Sequence, residues 1–268
     1  MNLYFSGIKD NRDAALLREA GIQHVLCDDH DLPNTAGFEY VALDSGAYRA
    51  FKAGRALNVA DYARRLTQLQ QQRATWFDFV VAPDVIGDAG MSQYNWQTLR
   101  DQYGWHTTPV WQWGSPLRDL DEYLKGAPLV QGVPSVGVGG LVPHLRSRRD
   151  DKLTKTERAE WQVKRLATLE QLRAVAEQYP GVLHAFGLCW TKAIEELGTL
   201  LYSADTSLYL DAARYGDVIF RHTRTGHLSH APARLVPTYA ALAGDRAARV
   251  LESARNLADF CRAVPVGC

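Results

Sequence analysis

The sequence has few of the features that mark secreted, zinc-knuckle or membrane-spanning proteins. Its 268 residues include four cysteines, and no two of them form a C-x-x-C pair or have the spacing of a zinc knuckle. The simplest interpretation is a set of reduced thiols in a cytoplasmic protein. No stretch is apolar over the length of a membrane span, and the N-terminus lacks the basic region and apolar run of a signal peptide.

The chain also has no net charge, because 30 basic residues balance 30 acidic ones. A protein that binds nucleic acid through an overall positive charge is therefore not indicated, although a local basic face remains compatible with this balance. Apolar residues make up 46% of the chain and charged residues 22%, as in an ordinary globular protein. The length suits one large α/β domain with a sizeable core.

Short apolar segments alternate with mostly helical ones along the chain. The predicted strands cover residues 3–6, 23–27, 39–43, 77–82, 108–112, 134–138, 183–186 and 201–203. This pattern predicts an irregular (β/α)₈ TIM-like barrel as a single domain over 1–268, with a core of about 1–215 and extra C-terminal helices in 216–268. A doubly wound open sheet is the alternative, but residues 6–9 do not supply its glycine-rich phosphate loop.

Polar residues or glycines end or follow most of the predicted strands. In a barrel they would meet at one mouth; they are Asp44, Ser45, Asp84, Gln112, Gly139, Gly140, Gly187 and Asp205. Taken alone, Asp205 would more often be a helix cap than a catalyst. Two opposed carboxylates suit displacement at a sugar carbon, one acting at the oxocarbenium-like centre and the other on the proton of the leaving group. A third carboxylate and an amide suit the edge of a flat heterocycle, which paired glycines let approach the backbone.

Six short motifs between about residues 40 and 210 occur in the order found in one enzyme superfamily. They are LDSGAY (43–48), FVVAPDV (79–85), VWQWG (110–114), VGVGGL (136–141), HAFGL (184–188) and SADTS (203–207). In these motifs the chain resembles the tRNA-guanine transglycosylase superfamily, including its small DNA-acting and phage-encoded members.

The resemblance implies a role for each matching residue. Asp205 would be the nucleophile that attacks C1′ of the target nucleoside, and Asp44 would be the general acid/base. The other matching residues would bind the base, through its edge or through the backbone beside it: Ser45, Asp84, Gln112, Gly139 and Gly140.

The sequence also departs from the superfamily. The tRNA enzymes carry a cysteine-rich zinc site after the nucleophile, whereas here only Cys261 and Cys268 follow Asp205. We therefore expect no metal and no other cofactor, and DNA is favoured over tRNA as the partner. Ala47 replaces the usual second glycine, and tryptophans flank Gln112, so the target base stays open.

Two basic segments are candidates for contact with the nucleic-acid backbone. The first follows Gly140 and contains Arg146, Arg148, Arg149 and Lys152, and the second contains Arg221 and Arg224. A solvated loop that enters a helix is the alternative for the first segment. The second segment also holds His222, His227 and His230, but no carboxylate or cysteine completes a metal site there.

Together these features predict a DNA glycosylase that releases a modified base and leaves an abasic site, a chemistry that fits anti-phage defence. One alternative is a transglycosylase that inserts a free deazaguanine into DNA or tRNA, with the free nucleobase as a second partner. Two further alternatives are a non-catalytic nucleic-acid-binding barrel and an unrelated sugar hydrolase. For the glycosylase and for the transglycosylase, the target nucleotide would have to leave the nucleic-acid helix to reach the mouth of the barrel. Trp190 is a candidate for stacking on that flipped base, although packing in the core is commoner for tryptophan.

Overall fold

The computed structural model describes residues 1–72, 77–146 and 153–263. In these ranges the chain forms eleven strands: β1 (Asn2–Phe5), β2 (His24–Cys27), β3 (Tyr40–Leu43), β4 (Val110–Gln112), β5 (Leu129–Val130), β6 (Val133–Pro134), β7 (Val136–Gly139), β8 (Leu183–Ala185), β9 (Ser203–Thr206), β10 (Asp217–Arg221) and β11 (Leu228–Pro232). Seven of them form one curled sheet in the order β3-β2-β1-β9-β8-β7-β4. All neighbouring strands in this sheet run parallel, so their carboxyl ends share one edge.

Helices connect and flank the strands. The α-helices are α1 (Asn11–Glu19), α2 (Ala47–Lys52), α3 (Val59–Gln72), α4 (Ala89–Tyr103), α5 (Leu117–Gly126), α6 (Val142–Leu145), α7 (Lys155–Gln178), α8 (Thr191–Leu197), α9 (Leu208–Arg214) and α10 (Arg246–Ala263). Side-chain caps explain several starts, since Asp10 accepts from Asp13 N at 2.8 Å and Thr154 forms a capping box with Glu157. Within the described ranges, no helix has the length and apolar character needed to cross a membrane.

The loop between β2 and β3 contains only a short 3₁₀ helix, Leu32–Thr35. The chain is therefore irregular at the place where the sequence predicts a connection too short for an α-helix.

The predicted strand at 77–82 is present as an extended segment with isolated bridges. Val80 pairs in parallel with Leu43 of β3, and Val81 pairs in parallel with Thr108, just before β4. Backbone hydrogen bonds of 2.9 Å join Leu43 N to the Phe79 carbonyl and Ala82 N to the Thr108 carbonyl. The segment therefore contacts the two outer strands of the seven-stranded sheet.

Side-chain alternation divides the apolar residues between two faces of the curled sheet. Tyr4, Leu26, Ala42, Phe79 and Val110 belong to a small cluster on the concave face. The alternate residues of the same strands join the larger core under the helices, where α1, α9 and α10 pack. Apolar side chains therefore fill the concave face near the middle of the strands. The polar side chains considered below lie at the carboxyl ends of these strands.

Two predicted elements differ from the structure. The last strand of the sheet is Ser203–Thr206 rather than 201–203, so Asp205 lies inside β9 and not in the turn after it. The segment 216–268 also contains an antiparallel hairpin, β10–β11, in addition to the predicted helices. The hairpin is fixed by tertiary contacts such as the hydrogen bond of 3.0 Å from Ile219 N to Ser253 Oγ of α10.

Candidate active site at the carboxyl edge of the sheet

Each oxygen of the Asp205 carboxylate accepts a hydrogen bond. Its Oδ1 accepts a hydrogen bond of 2.7 Å from the backbone N–H of Gly187, after β8. Its Oδ2 accepts one of 2.7 Å from the hydroxyl of Ser6, which directly follows β1. Asp205 is only 5% exposed, so the two neighbouring strand ends fix the orientation of a largely buried carboxylate.

Asp44 follows β3 and is partly buried. Burial is the largest cause that raises its pKa, to about 7, and the charges of Asp84 and Asp205 raise it further. The backbone N–H of Gly46 opposes this rise. In the sheet β3 is separated from β9 by two strands, and the charge of Asp205 still contributes to raising the pKa of Asp44.

A third carboxylate, Asp84, pairs with the amide of Gln112 at the end of β4. Gln112 Nε2 donates to Asp84 Oδ2 at 2.8 Å, while Gln112 Oε1 accepts from Gly87 N at 3.3 Å. Burial raises the pKa of Asp84, against the hydrogen bonds from Gln112 and Ser45 that lower it. Gln112 is 4% exposed, and among the described residues these two bonds leave one amide hydrogen and one lone pair of its side chain without a partner.

Gly139 ends β7 directly against this pair. A Cβ at Gly139 would lie 2.7 Å from Val110 Cγ1, 2.9 Å from Gln112 Nε2 and 3.4 Å from Asp84 Oδ2. Gly140 follows with a φ of +78°, a left-handed conformation that favours glycine. The two glycines therefore keep the backbone close to the Asp84–Gln112 pair.

This contact makes Gly139→Ala a specific test of the pair. We expect the added methyl group to displace Gln112 and to lower the free energy of unfolding by about 1–3 kcal/mol. Gly244→Ala is the matched control, since a Cβ at Gly244 meets no atom within 4 Å and its φ is not left-handed. Urea unfolding of both variants checks the difference; equal stability of the two would contradict the close packing at Gly139.

Three residues that the sequence did not indicate belong to the same region. Ser6 donates a hydrogen bond to Asp205. The position of Ser6 directly after β1 is the signal that could have identified it. Tyr62 of α3 donates to the Val81 carbonyl at 2.8 Å; burial raises its pKa, and the charges of Asp44 and Asp84 raise it further. His184 of β8 is fully buried; its Nδ1 lies 2.7 Å from Ser203 Oγ and its Nε2 lies 3.8 Å from Asp205 Oδ1.

The first basic segment is only partly described. Arg146 is exposed and follows α6, on the loop that continues from Gly140. Arg148, Arg149 and Lys152 lie outside the described residues. Contact of this segment with a nucleic-acid backbone stays a prediction.

Arg221 of the second basic segment lies beside α8 and α10. Arg221 and Arg224 lie in the hairpin β10–β11, and Arg221 lines a shallow depression with Phe260 of α10 and with residues of α8. The end of α10 lies beside the amino group of Met1, at the amino end of β1. In the described ranges no hydrogen bond or ion pair joins Arg221 or Arg224 to Asp205, and their contact with a nucleic-acid backbone stays a prediction.

The histidines of this hairpin do not assemble a metal site either. His227 Nδ1 lies 3.4 Å from Glu195 Oε1 of α8. Among the described residues, no group of three His, Cys, Asp or Glu side chains could hold a metal ion.

Chemically, the carboxyl edge combines one carboxyl group that titrates near neutral pH, one fixed carboxylate and one carboxylate–amide pair. Carboxyl groups in different environments can divide acid and nucleophilic roles between them. No protein-family model matches the chain, and no curated protein sequence matches it either.

Proposed function

We propose that the protein cleaves the N-glycosidic bond between a base and its sugar in DNA. The observation that carries this proposal is the combination of Asp44, whose pKa is raised to about 7, with Asp205, whose two oxygens are fixed by Gly187 and Ser6. A group with a pKa near the working pH can deliver a proton and take it back in one reaction cycle.

In the proposed mechanism, Asp205 attacks C1′ of the target nucleoside or stabilises its positive charge as the bond to the base breaks. Protonated Asp44 gives its proton to the departing base, which leaves with the electron pair of the broken bond. The resulting Asp44 carboxylate then takes a proton from water, and the water oxygen bonds to C1′ and releases Asp205. The products are the free base and an abasic site.

The Asp84–Gln112 pair supports a flat heterocycle as the leaving group. Asp84 can accept from ring or exocyclic N–H groups, and Gln112 retains one donor and one acceptor position. Gly139 and Gly140 keep side chains away from the face next to this pair. We place the base-binding pocket here, with Ser45 beside Asp84.

We also infer that the sheet closes into an eight-stranded barrel, with the segment 79–82 as the eighth strand. The parallel bridges Leu43–Val80 and Val81–Thr108 support this closure, because they join that segment to both outer strands of the sheet. A closed barrel would place Asp44, Asp84 and Asp205 around one mouth.

The choice of DNA over tRNA follows from the sequence, since the two cysteines after Asp205 do not form the zinc site of the tRNA enzymes. A free base instead of water would make the enzyme a transglycosylase through the same two carboxylates.

One assay tests the proposal. The protein is incubated with unmodified DNA, modified phage DNA and tRNA, and the released bases and alkali-labile sites are measured. We expect release of a base from one class of DNA, with a matching number of abasic sites. Incorporation of labelled guanine or deazaguanine would show exchange instead of hydrolysis, and no base loss from any substrate would contradict the proposed function.

A further inference from the structure

A second feature of the carboxyl edge is a buried arginine that has no anionic partner among the described residues. Arg165 of α7 is 6% exposed. Its Nε donates to the Leu145 carbonyl at 2.7 Å, and its guanidinium carbon lies 3.9 Å from the centre of the Trp190 ring. In the described part of the chain, neither Nη atom has a hydrogen-bond acceptor and no carboxylate pairs with Arg165.

A second buried arginine, Arg249, bonds backbone carbonyls through both Nη atoms, although its buried Nε has no acceptor among the described residues. Arg249 of α10 is 7% exposed, and its Nη1 donates to the carbonyls of Leu242 and Ala243 at 2.9 and 2.6 Å. Its Nη2 donates to the Ala213 carbonyl at 3.1 Å. Both Nη atoms of Arg249 are therefore occupied by backbone carbonyls, in contrast to those of Arg165.

The neighbouring thiol does not supply the missing negative charge. Cys189 lies beside Arg165, but burial raises the pKa of this thiol to about 12, so it stays neutral at physiological pH. Burial also lowers the pKa of Arg165 to about 10, which still leaves the guanidinium protonated. A protonated guanidinium that is only 6% exposed and whose Nη donors have no acceptor among the described residues favours binding of an anion.

The position of Arg165 connects it to the proposed active site. Leu145 ends α6, in the loop that follows β7 and Gly140. Trp190 caps α8, in the loop that follows β8 and Gly187, the residue that bonds Asp205. The guanidinium therefore lies between the loops after β7 and β8, at the edge of the sheet that holds Asp205.

We propose that the two Nη groups of Arg165 bind a phosphate group of the DNA strand that carries the target nucleotide. The planar guanidinium matches two phosphate oxygens, and stacking on Trp190 fixes the orientation of that plane. This inference rests on the proposed function for its ligand, and it assigns Trp190 to support of Arg165 rather than to stacking on the flipped base. A free phosphate ion has the same chemistry and is distinguished by experiment.

The test measures binding of a fluorescent single-stranded oligonucleotide over a range of salt concentrations. We compare the wild type with Arg165→Gln and Arg165→Lys, at a temperature where all are folded. For Arg165→Gln we expect affinity to fall about tenfold and the slope of log affinity against log salt to fall by about 0.7, the value for one lost phosphate contact. For Arg165→Lys we expect the slope to be kept and the affinity to be only partly restored, because lysine retains the charge but not the planar pair of donors.

Arg249→Gln is the matched control for the loss of a buried arginine. We expect it to lower the Tm without changing the salt slope. An unchanged affinity and slope in Arg165→Gln would overturn the proposal, and a fall in Tm alone would show that Arg165 only joins α7 to its neighbours. Arg165-dependent binding without any base release would leave the phosphate site standing and contradict the glycosidase instead.

A second experiment adds inorganic phosphate as a competitor of the oligonucleotide. We expect phosphate to compete with the oligonucleotide for the wild type and not for Arg165→Gln. If phosphate raises the Tm of the wild type through Arg165 while oligonucleotide binding is independent of Arg165, the site takes a free phosphate and the assignment to DNA is overturned.

Discussion

Replacing Asp205 by asparagine is expected to reduce base release by at least about 10³-fold, as for loss of a nucleophile or its electrostatic equivalent. The variant should still fold, because an asparagine can keep both hydrogen bonds of the carboxylate. Its oxygen can accept from Gly187 N, and its amide can donate to Ser6 Oγ, since a hydroxyl group also accepts. The loss would therefore report on chemistry at C1′ rather than on folding.

Asp217→Asn is a matched control for this variant. Asp217 is 1% exposed and lies at the start of β10, outside the proposed site. We expect Asp217→Asn to release base at the rate of the wild type when both are assayed below their Tm. Base release by Asp205→Asn within a few-fold of the wild type would exclude Asp205 as the group that acts at C1′.

Part of the candidate site can be predicted from the sequence, because the carboxyl ends of parallel strands lie at the same edge of a sheet. Asp44 and Asp84 each follow an apolar segment and Gln112 ends one; in the structure Gln112 bonds Asp84, and the charge of Asp84 contributes to raising the pKa of Asp44. Ser6 obeys the same rule, but the apolar pattern predicts it as the last residue of the first strand, whereas β1 ends at Phe5. The position of Asp205 inside β9 could not be predicted, since the strand limits depend on pairing with β1 and β8.

Other features needed the tertiary structure. The hairpin β10–β11 is stabilised by packing on α10, although the apolar run from Val218 to Phe220 and the turn at Gly226 are signals that could have indicated it. Arg165 did leave a signal, because it shares a helical face with the buried residues Leu169, Leu172 and Ala176 of α7. A charged residue on such a face indicates a specific partner, but only the structure shows that its neighbours are Leu145 and Trp190.

Replacing Asp44 by asparagine is expected to stabilise the fold at neutral and alkaline pH while it removes the proposed acid. The pKa of Asp44 is 3.8 without the fold and about 7 within it. Between these values the folded state binds more protons than the unfolded state, so the stability of the wild type falls as pH rises. One pKa unit corresponds to about 1.4 kcal/mol, so the interval of roughly three units amounts to about 4 kcal/mol.

Asparagine cannot ionise, so the advantage of Asp44→Asn should be absent at low pH, grow through this interval and be complete above about pH 7. Urea unfolding of both proteins across this range measures the difference. Asp84→Asn is a diagnostic variant, because removal of that neighbouring charge should lower the pKa of Asp44 and end the interval at a lower pH. Parallel stability curves for the wild type and Asp44→Asn would mean that Asp44 is fully ionised at neutral pH, which would contradict its role as proton donor to the leaving base.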